Sequence, residues 1–120
     1  METITIYHNP RCSKSRKALE LLQAYTETHN IEIIEYLKHP PTKKELKRIV
    51  DALQIPAKKL IRTTESEYGS APLKANATEK ECLEKMLANP KVIQRPIILL
   101  NNKAVIGRPP ENIHLLFDKK

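Results

Sequence analysis

The stretch TITIYHNPRCSKSRKALELL, residues 3–22, decides the fold of this chain. Its first five residues are rich in β-branched side chains and predict a strand. An apolar stripe at helical spacing follows and predicts a helix over roughly 13–25. The turn between the two elements carries a single cysteine, Cys12, among basic and polar residues. A strand, a turn with one thiol and a helix therefore form the first unit of the fold.

The rest of the chain predicts further helices opened by capping boxes and a late β-hairpin. A threonine followed three residues later by glutamate satisfies the free N–H groups of a helix start. This pattern predicts helices from Thr42 to about Gln54 and from Thr78 to just before Pro90. The hairpin joins residues 96–100 to 103–107 through Asn-Asn, a weaker turn signal than Asn-Gly. The remaining predicted elements are a strand at 31–37, a short helix from Pro56 to about Arg62, a loop at 63–76 and a last helix from Pro110 with Ile113, Leu116 and Phe117 inward.

The order of these elements predicts the architecture. Two early strands joined by a helix form a right-handed βαβ unit, and its strands run parallel. The late hairpin is antiparallel, so the sequence predicts a four-stranded mixed sheet with flanking helices. This is an α/β arrangement of the thioredoxin/glutaredoxin-like type. We expect residues 1–120 to form a single domain, because this length suits one hydrophobic core.

Composition excludes several classes of protein. The longest purely apolar run, Ile97–Leu100, is far shorter than the ~20 residues of a membrane span. No signal-peptide pattern follows Met1, so we expect a cytoplasmic protein whose thiols stay reduced. The four histidines stand singly, and no group of cysteines and histidines has zinc-site spacing. We therefore expect neither a membrane protein nor a metalloprotein.

The formal net charge of +7 raises the question of nucleic-acid binding. Much of this charge lies on the polar side of an amphipathic helix. Aromatic residues are not interleaved with the basic ones, although base stacking requires them. We expect a solvated helix face and no nucleic-acid site, with an acidic partner as the alternative. The basic residues concerned are Lys43, Lys44, Lys47 and Arg48.

The two cysteines differ in their surroundings. Cys82 belongs to an apolar helical stripe with Leu83, Met86 and Leu87, so we expect it in the core. Cys12 falls where a helix begins, and free N–H groups and the helix dipole stabilise a thiolate there. Four arginines and lysines within five positions of Cys12 favour the charged form further. We therefore predict a reactive thiolate at Cys12.

Two polar neighbours of Cys12 are candidates for supporting roles. His8 either takes the thiol proton or stabilises the thiolate, and a loop histidine bonded to the backbone is the alternative. Ser15 occupies the position where a dithiol oxidoreductase has its second cysteine. Because serine cannot form a disulfide, any resolving thiol must come from another molecule.

The segments around these residues resemble the glutaredoxin-coupled arsenate reductase family, in its short bacterial branch. The resemblance rests on IYHNPRCSKSRKALELL, KKLIRTTESEY, NPKVIQRPIIL and AVIGRPPENI, which follow the family's order and span essentially the whole chain. It implies reduction of arsenate, or a similar oxyanion, to arsenite, with Cys12 as the nucleophile and His8 supporting it. It also implies glutathione as the external thiol reductant, glutaredoxin as the partner that resolves the mixed species, and no bound cofactor.

The resemblance also implies an oxyanion site. Arg62, Arg95 and Arg108 match the family's substrate-binding arginines, and the planar guanidinium group suits bidentate binding of an oxyanion. Surface ion pairs are the alternative role for these arginines. Pro96 matches the cis-proline that faces the active cysteine in thioredoxin-like folds. For the whole chain, the alternatives are a general monothiol oxidoreductase and an Spx-type regulator, which usually carries the second cysteine that Ser15 replaces.

Overall fold

The computed structural model describes residues 2–62 and 77–117. The loop predicted at 63–76 lies outside these residues. The chain divides into two compact units, one of Met1–His39 with Arg95–Lys120 and the other of Pro40–Gln94. The single domain expected from the length stays a prediction.

The first unit contains a four-stranded mixed sheet in the order β2-β1-β3-β4. β1 (Glu2–His8) and β2 (His29–Glu35) run parallel, and helix α1 (Ser13–Leu22) lies between them in the chain. β3 (Ile97–Leu100) pairs antiparallel with β1 and with β4 (Lys103–Ile106), which confirms the predicted hairpin. The mixed sheet confirms the predicted α/β class and places the strand that leads to the thiol in its interior.

One face of this sheet carries the core of the first unit. Alternate residues of a strand point to the same face, so Ile4 and Ile6 of β1 lie beside their partners Leu100 and Ile98 of β3. The predicted stripe of α1 packs here, as part of a single cluster. The buried members of this cluster are Ile4, Ile6, Ala18, Leu22, Ile98, Leu100, Ile113 and Leu116. Burial of this stripe fixes the rotation of α1, and with it the direction in which the first turn faces.

One predicted element in this unit has wrong boundaries, and two predicted helical segments take the 3₁₀ form. A 3₁₀ turn, Gln23–Tyr25, replaces the last predicted turn of α1. β2 ends at Glu35 because the Glu35 carbonyl accepts the N–H groups of two residues just beyond it and turns the chain. The last helix, Pro110–Phe117, is also 3₁₀. Its start is tied by the Asn112 side chain, which donates to backbone carbonyls at 3.1 and 3.3 Å.

The second unit is helical. α2 (Lys43–Leu53) and α3 (Glu79–Ala88) both begin with the predicted capping box, in which threonine and glutamate exchange hydrogen bonds. A 3₁₀ turn, Ala57–Leu60, replaces the short helix predicted from Pro56, because the next residue, Ile61, leaves it to bridge to another segment. The four basic residues of α2 are exposed, as a solvated face requires. Cys82 is 2% exposed, which confirms its predicted place in the core.

No helix within residues 2–62 and 77–117 has both the length and the apolar character needed to cross a bilayer.

Candidate active site

A tightly hydrogen-bonded turn carries Cys12 from the end of β1 into α1. The Cys12 N–H donates to the Asn9 carbonyl at 3.0 Å, and the Asn9 side-chain oxygen accepts the Arg11 N–H at 3.0 Å. The Arg16 guanidinium donates to the Pro10 carbonyl at 2.8 Å from the other side. Cys12 is the N-cap residue of α1 and has extended backbone angles. The turn therefore holds a partly exposed thiol over the first turn of the helix.

The surroundings of Cys12 favour its charged form. The Cys12 side chain does not cap the helix with a hydrogen bond of its own. The backbone N–H groups of Lys14 and Ser15 nevertheless stabilise its charged form. Burial acts to raise the pKa of Cys12, but the Ser15 N–H, the Arg95 guanidinium and the Lys14 N–H outweigh it, and the pKa lies below its ordinary value. The predicted thiolate thus has a physical basis, and Arg95 is the cation that stabilises it.

Arg95 and Arg108 come together through the backbone at the edge of the site. The Nε of Arg108 donates to the Arg95 carbonyl at 2.8 Å. Among the described residues, the terminal nitrogens of Arg108 make no further hydrogen bond. The Arg95–Pro96 bond is cis, as predicted, and so is the bond from Arg108 to Pro109, which the sequence did not indicate.

Gly107 fits against the ring of Pro96. A Cβ at position 107 would lie 2.8 Å from Cγ of Pro96 and 3.1 Å from Cδ1 of Ile98, so a side chain has no room there. The Gly107 N–H donates to the Pro96 carbonyl at 2.8 Å. This close approach holds the segments that carry Arg95 and Arg108 together.

Arg62 lies in the second unit, directly after the short segment that bridges to Ile93. Its backbone N–H donates to the Val92 carbonyl. The structure thus places Cys12, Arg95 and Arg108 in one unit and Arg62 in the other. The oxyanion-binding role of Arg62 stays a prediction.

His8 and Ser15 are joined by a short hydrogen bond inside the protein. His8 Nδ1 lies 2.6 Å from Ser15 Oγ, and the Asn9 N–H donates to the same Oγ at 3.0 Å. Burial lowers the pKa of His8, the Glu35 carboxylate acts to raise it and Arg16 lowers it, with a net fall below the ordinary value. At neutral pH His8 is therefore mainly uncharged.

Sequence reasoning missed two residues that shape this site. Asn9 builds the turn before Cys12, and the Asn-Pro pair after a strand is a turn signal that could have indicated it. Gly107 is one of only two glycines in the chain, which could have drawn attention to a close approach. In the described part of the chain, no three His, Cys, Asp or Glu side chains gather as a possible metal site.

Known proteins are similar to this chain over nearly its whole length. The model of the ArsC family matches residues 7–116. The arsenate reductase of Neisseria meningitidis serogroup A is 41% identical over 117 residues, which cover 94% of this chain and 97% of that protein. Escherichia coli YfgD, described as an uncharacterized protein, is 39% identical over 112 residues, or 92% of each chain. The structure of an arsenate reductase from Vibrio cholerae is similar with a TM-score of 0.85 at 35% identity, covering 93% of this chain and 95% of that one. The chain therefore belongs to the ArsC family.

Proposed function

We propose that this protein reduces arsenate to arsenite with Cys12 as the nucleophile. The observation that carries the proposal is the thiol of Cys12, whose pKa is lowered by helix N–H groups and by Arg95. A thiolate is the form of cysteine that attacks electrophiles. Relatives and solved structures named arsenate reductase, at 35–41% identity across nearly the whole chain, support arsenate as the electrophile.

In the first step the thiolate of Cys12 attacks arsenic and forms a sulfur–arsenic bond, while one arsenate oxygen leaves as water after protonation. Thiolate and arsenate are both anions, so the approach needs positive charge. Arg95 already interacts with the thiol, and Arg108 is bonded through its Nε to the Arg95 carbonyl, so we assign both guanidinium groups to the arsenate oxygens. Such donors also stabilise the charge that develops on oxygen in the transition state. Arg62 is the third arginine that we assign to the oxyanion.

The reduction takes two electrons, which two thiols supply by becoming one disulfide. Cys12 is the first thiol. The position three residues later holds Ser15, which cannot form a disulfide. We assign the second thiol to glutathione, so that arsenic leaves as arsenite and Cys12 is left in a mixed disulfide with glutathione. A glutaredoxin thiol then reduces that disulfide and returns Cys12 to its starting form.

The test is arsenate-dependent consumption of NADPH, coupled through glutathione reductase with glutathione and glutaredoxin. We expect turnover that Cys12→Ser abolishes and that Cys82→Ala, the matched change at the buried cysteine, retains. Arg95→Ala should lower kcat/KM by about 100-fold, as expected for loss of a transition-state donor. Arg48→Ala, which removes an exposed charge of α2, is its control.

Three outcomes would contradict parts of the proposal. No turnover above the Cys12→Ser background would reject arsenate reduction. Faster turnover of a glutathionylated peptide than of arsenate would indicate a general monothiol oxidoreductase. Equal rates when thioredoxin and its reductase replace glutathione and glutaredoxin would reject the assigned electron donor.

A further inference from the structure

In the described part of the chain, the buried polar residues are concentrated beside the thiol. Among residues 2–62 and 77–117, the buried polar side chains are those of His8, Asn9 and Ser15, at 5%, 8% and 0% exposure. All three belong to the segment from the end of β1 to the first turn of α1. Buried polar groups are costly unless they are hydrogen-bonded, so the hydrogens of this cluster must each have an acceptor.

The hydrogen bonds of Ser15 determine where the protons lie. Its hydroxyl carries one hydrogen and accepts others. The Asn9 N–H is a donor, so it places its hydrogen on Ser15 Oγ. Ser15 is fully buried, and among the described residues the acceptor within reach of its own hydrogen is His8 Nδ1 at 2.6 Å. If Nδ1 were protonated, Oγ would receive two hydrogens and its own would have no acceptor.

We propose that Ser15 is a positioning residue that holds His8 as the neutral tautomer with its proton on Nε2. In this state Nδ1 is an acceptor already occupied by Ser15, and Nε2 is a donor. His8 therefore takes no proton from Cys12 and contributes no positive charge to the thiolate. The net effect of burial, Glu35 and Arg16 is to lower the pKa of His8, which favours the same neutral state.

The same residue couples this cluster to the thiol. The side chain of Ser15 ties α1 to the end of β1, while its backbone N–H interacts with Cys12. Loss of the hydroxyl should loosen the first turn of α1 and weaken that N–H interaction. The position that carries the second thiol in dithiol enzymes is therefore used here for a buried hydrogen bond. The effect of Ser15 on catalysis rests on the proposed function. The assignment of the His8 tautomer does not depend on that function.

The tautomer can be read directly by NMR correlation of the histidine ring nitrogens in the full chain at pH 7–8, with His8→Asn used to assign the signals. We expect Nε2 of His8 to be protonated and Nδ1 to show the shift of a hydrogen-bonded acceptor. A proton on Nδ1, or on both nitrogens, at pH 7 would overturn the inference. This measurement needs no arsenate, so its result is independent of the proposed substrate.

Alkylation of Cys12 by iodoacetamide across pH tests the coupling, in a Cys82→Ala background. Ser15→Ala should raise the midpoint of the rate profile by about half to one pH unit. His8→Asn, whose side-chain oxygen can replace Nδ1 as acceptor, should keep the midpoint close to that of the parent, and His8→Ala should raise it. Circular dichroism confirms that each variant is folded. A raised midpoint in His8→Asn equal to that of His8→Ala, or no change in Ser15→Ala, would overturn the positioning role.

Discussion

Replacing Gly107 by alanine tests whether the packing of Pro96 sets the geometry of the site. The new Cβ would lie 2.8 Å from Cγ of Pro96, whereas ordinary contacts begin at 3.4 Å, so restoring an ordinary contact requires a shift of about 0.6 Å. Both residues are buried and are joined by a backbone hydrogen bond of 2.8 Å. The strain is therefore transmitted to Arg95, which directly precedes Pro96.

The expected effects follow from that displacement. Overpacking in a closely packed region costs about 1–3 kcal/mol in the free energy of unfolding. The shift also changes the position of Arg95, the residue that interacts with Cys12 and accepts a hydrogen bond from Arg108. A misplacement of ~1 Å can reduce a rate by about 100-fold, so we expect a loss of kcat/KM of roughly 10-fold or more for Gly107→Ala.

Urea unfolding measures the change in stability, and the coupled NADPH assay measures the change in kcat/KM. Ile98→Val removes the second, more distant contact at 3.1 Å and serves as the control. Because Pro96 is the closer obstacle, Gly107→Ala should remain destabilising by about the same amount in the Ile98→Val background. A free energy of unfolding within about 0.5 kcal/mol of the wild type, with an unchanged kcat/KM, would refute the reasoning.

Three further predictions concern stability. Leu22→Ala, at a fully buried position, should lower the free energy of unfolding by about 2–5 kcal/mol in urea, whereas Leu115→Ala, at 55% exposure, should stay within about 0.5 kcal/mol. Thr42→Ala should cost about 1 kcal/mol by removing the cap of α2, and Thr42→Ser should restore most of it, or the capping explanation fails. Because the pKa of His8 is lowered in the folded state, the unfolded chain binds more protons below about pH 6.5, so stability should fall as pH drops through that value. Urea titrations from pH 5 to 8 should show a smaller fall in the free energy of unfolding for His8→Asn than for the wild type. An equal fall in the two proteins would contradict a contribution of His8 to this pH dependence.

The parts of the fold that were predictable depend on neighbours in the sequence. A capping box spans four residues, and both boxes were confirmed at Thr42 and Thr78. Strand and hairpin signals around β1, β3 and β4 are similarly local. The wrong boundary depends on hydrogen bonds that no residue pattern indicated. β2 ends at Glu35 because Lys38 and His39 donate to the Glu35 carbonyl and turn the chain.

The same division applies to the candidate site. The thiolate of Cys12 could be inferred because a helix start and its N–H groups lie next to it in the sequence. The interaction of Cys12 with Arg95 requires β3 to lie beside β1, which no local pattern contains. Arg95 entered the predictions through the family resemblance alone. The bond between His8 and Ser15 was missed because it depends on the angle between a strand and a helix.

The electrostatic argument from sequence predicted a lowered pKa at Cys12 but attributed it to the wrong cations. The basic residues near Cys12 in the sequence were expected to lower its pKa, yet the guanidinium of Arg16 binds a backbone carbonyl and Lys17 pairs with Glu20 at 3.4 Å. Exposed charges of this kind are screened by solvent and salt. The cation that lowers the pKa of Cys12 is Arg95, from the other end of the chain. The contribution of Arg95 to the lowered pKa of Cys12 requires the folded sheet, because the pairing of β3 with β1 brings Arg95 to the start of α1. In an unfolded chain Cys12 keeps the pKa of an ordinary thiol, so its reactivity at low pH reports on the assembled site.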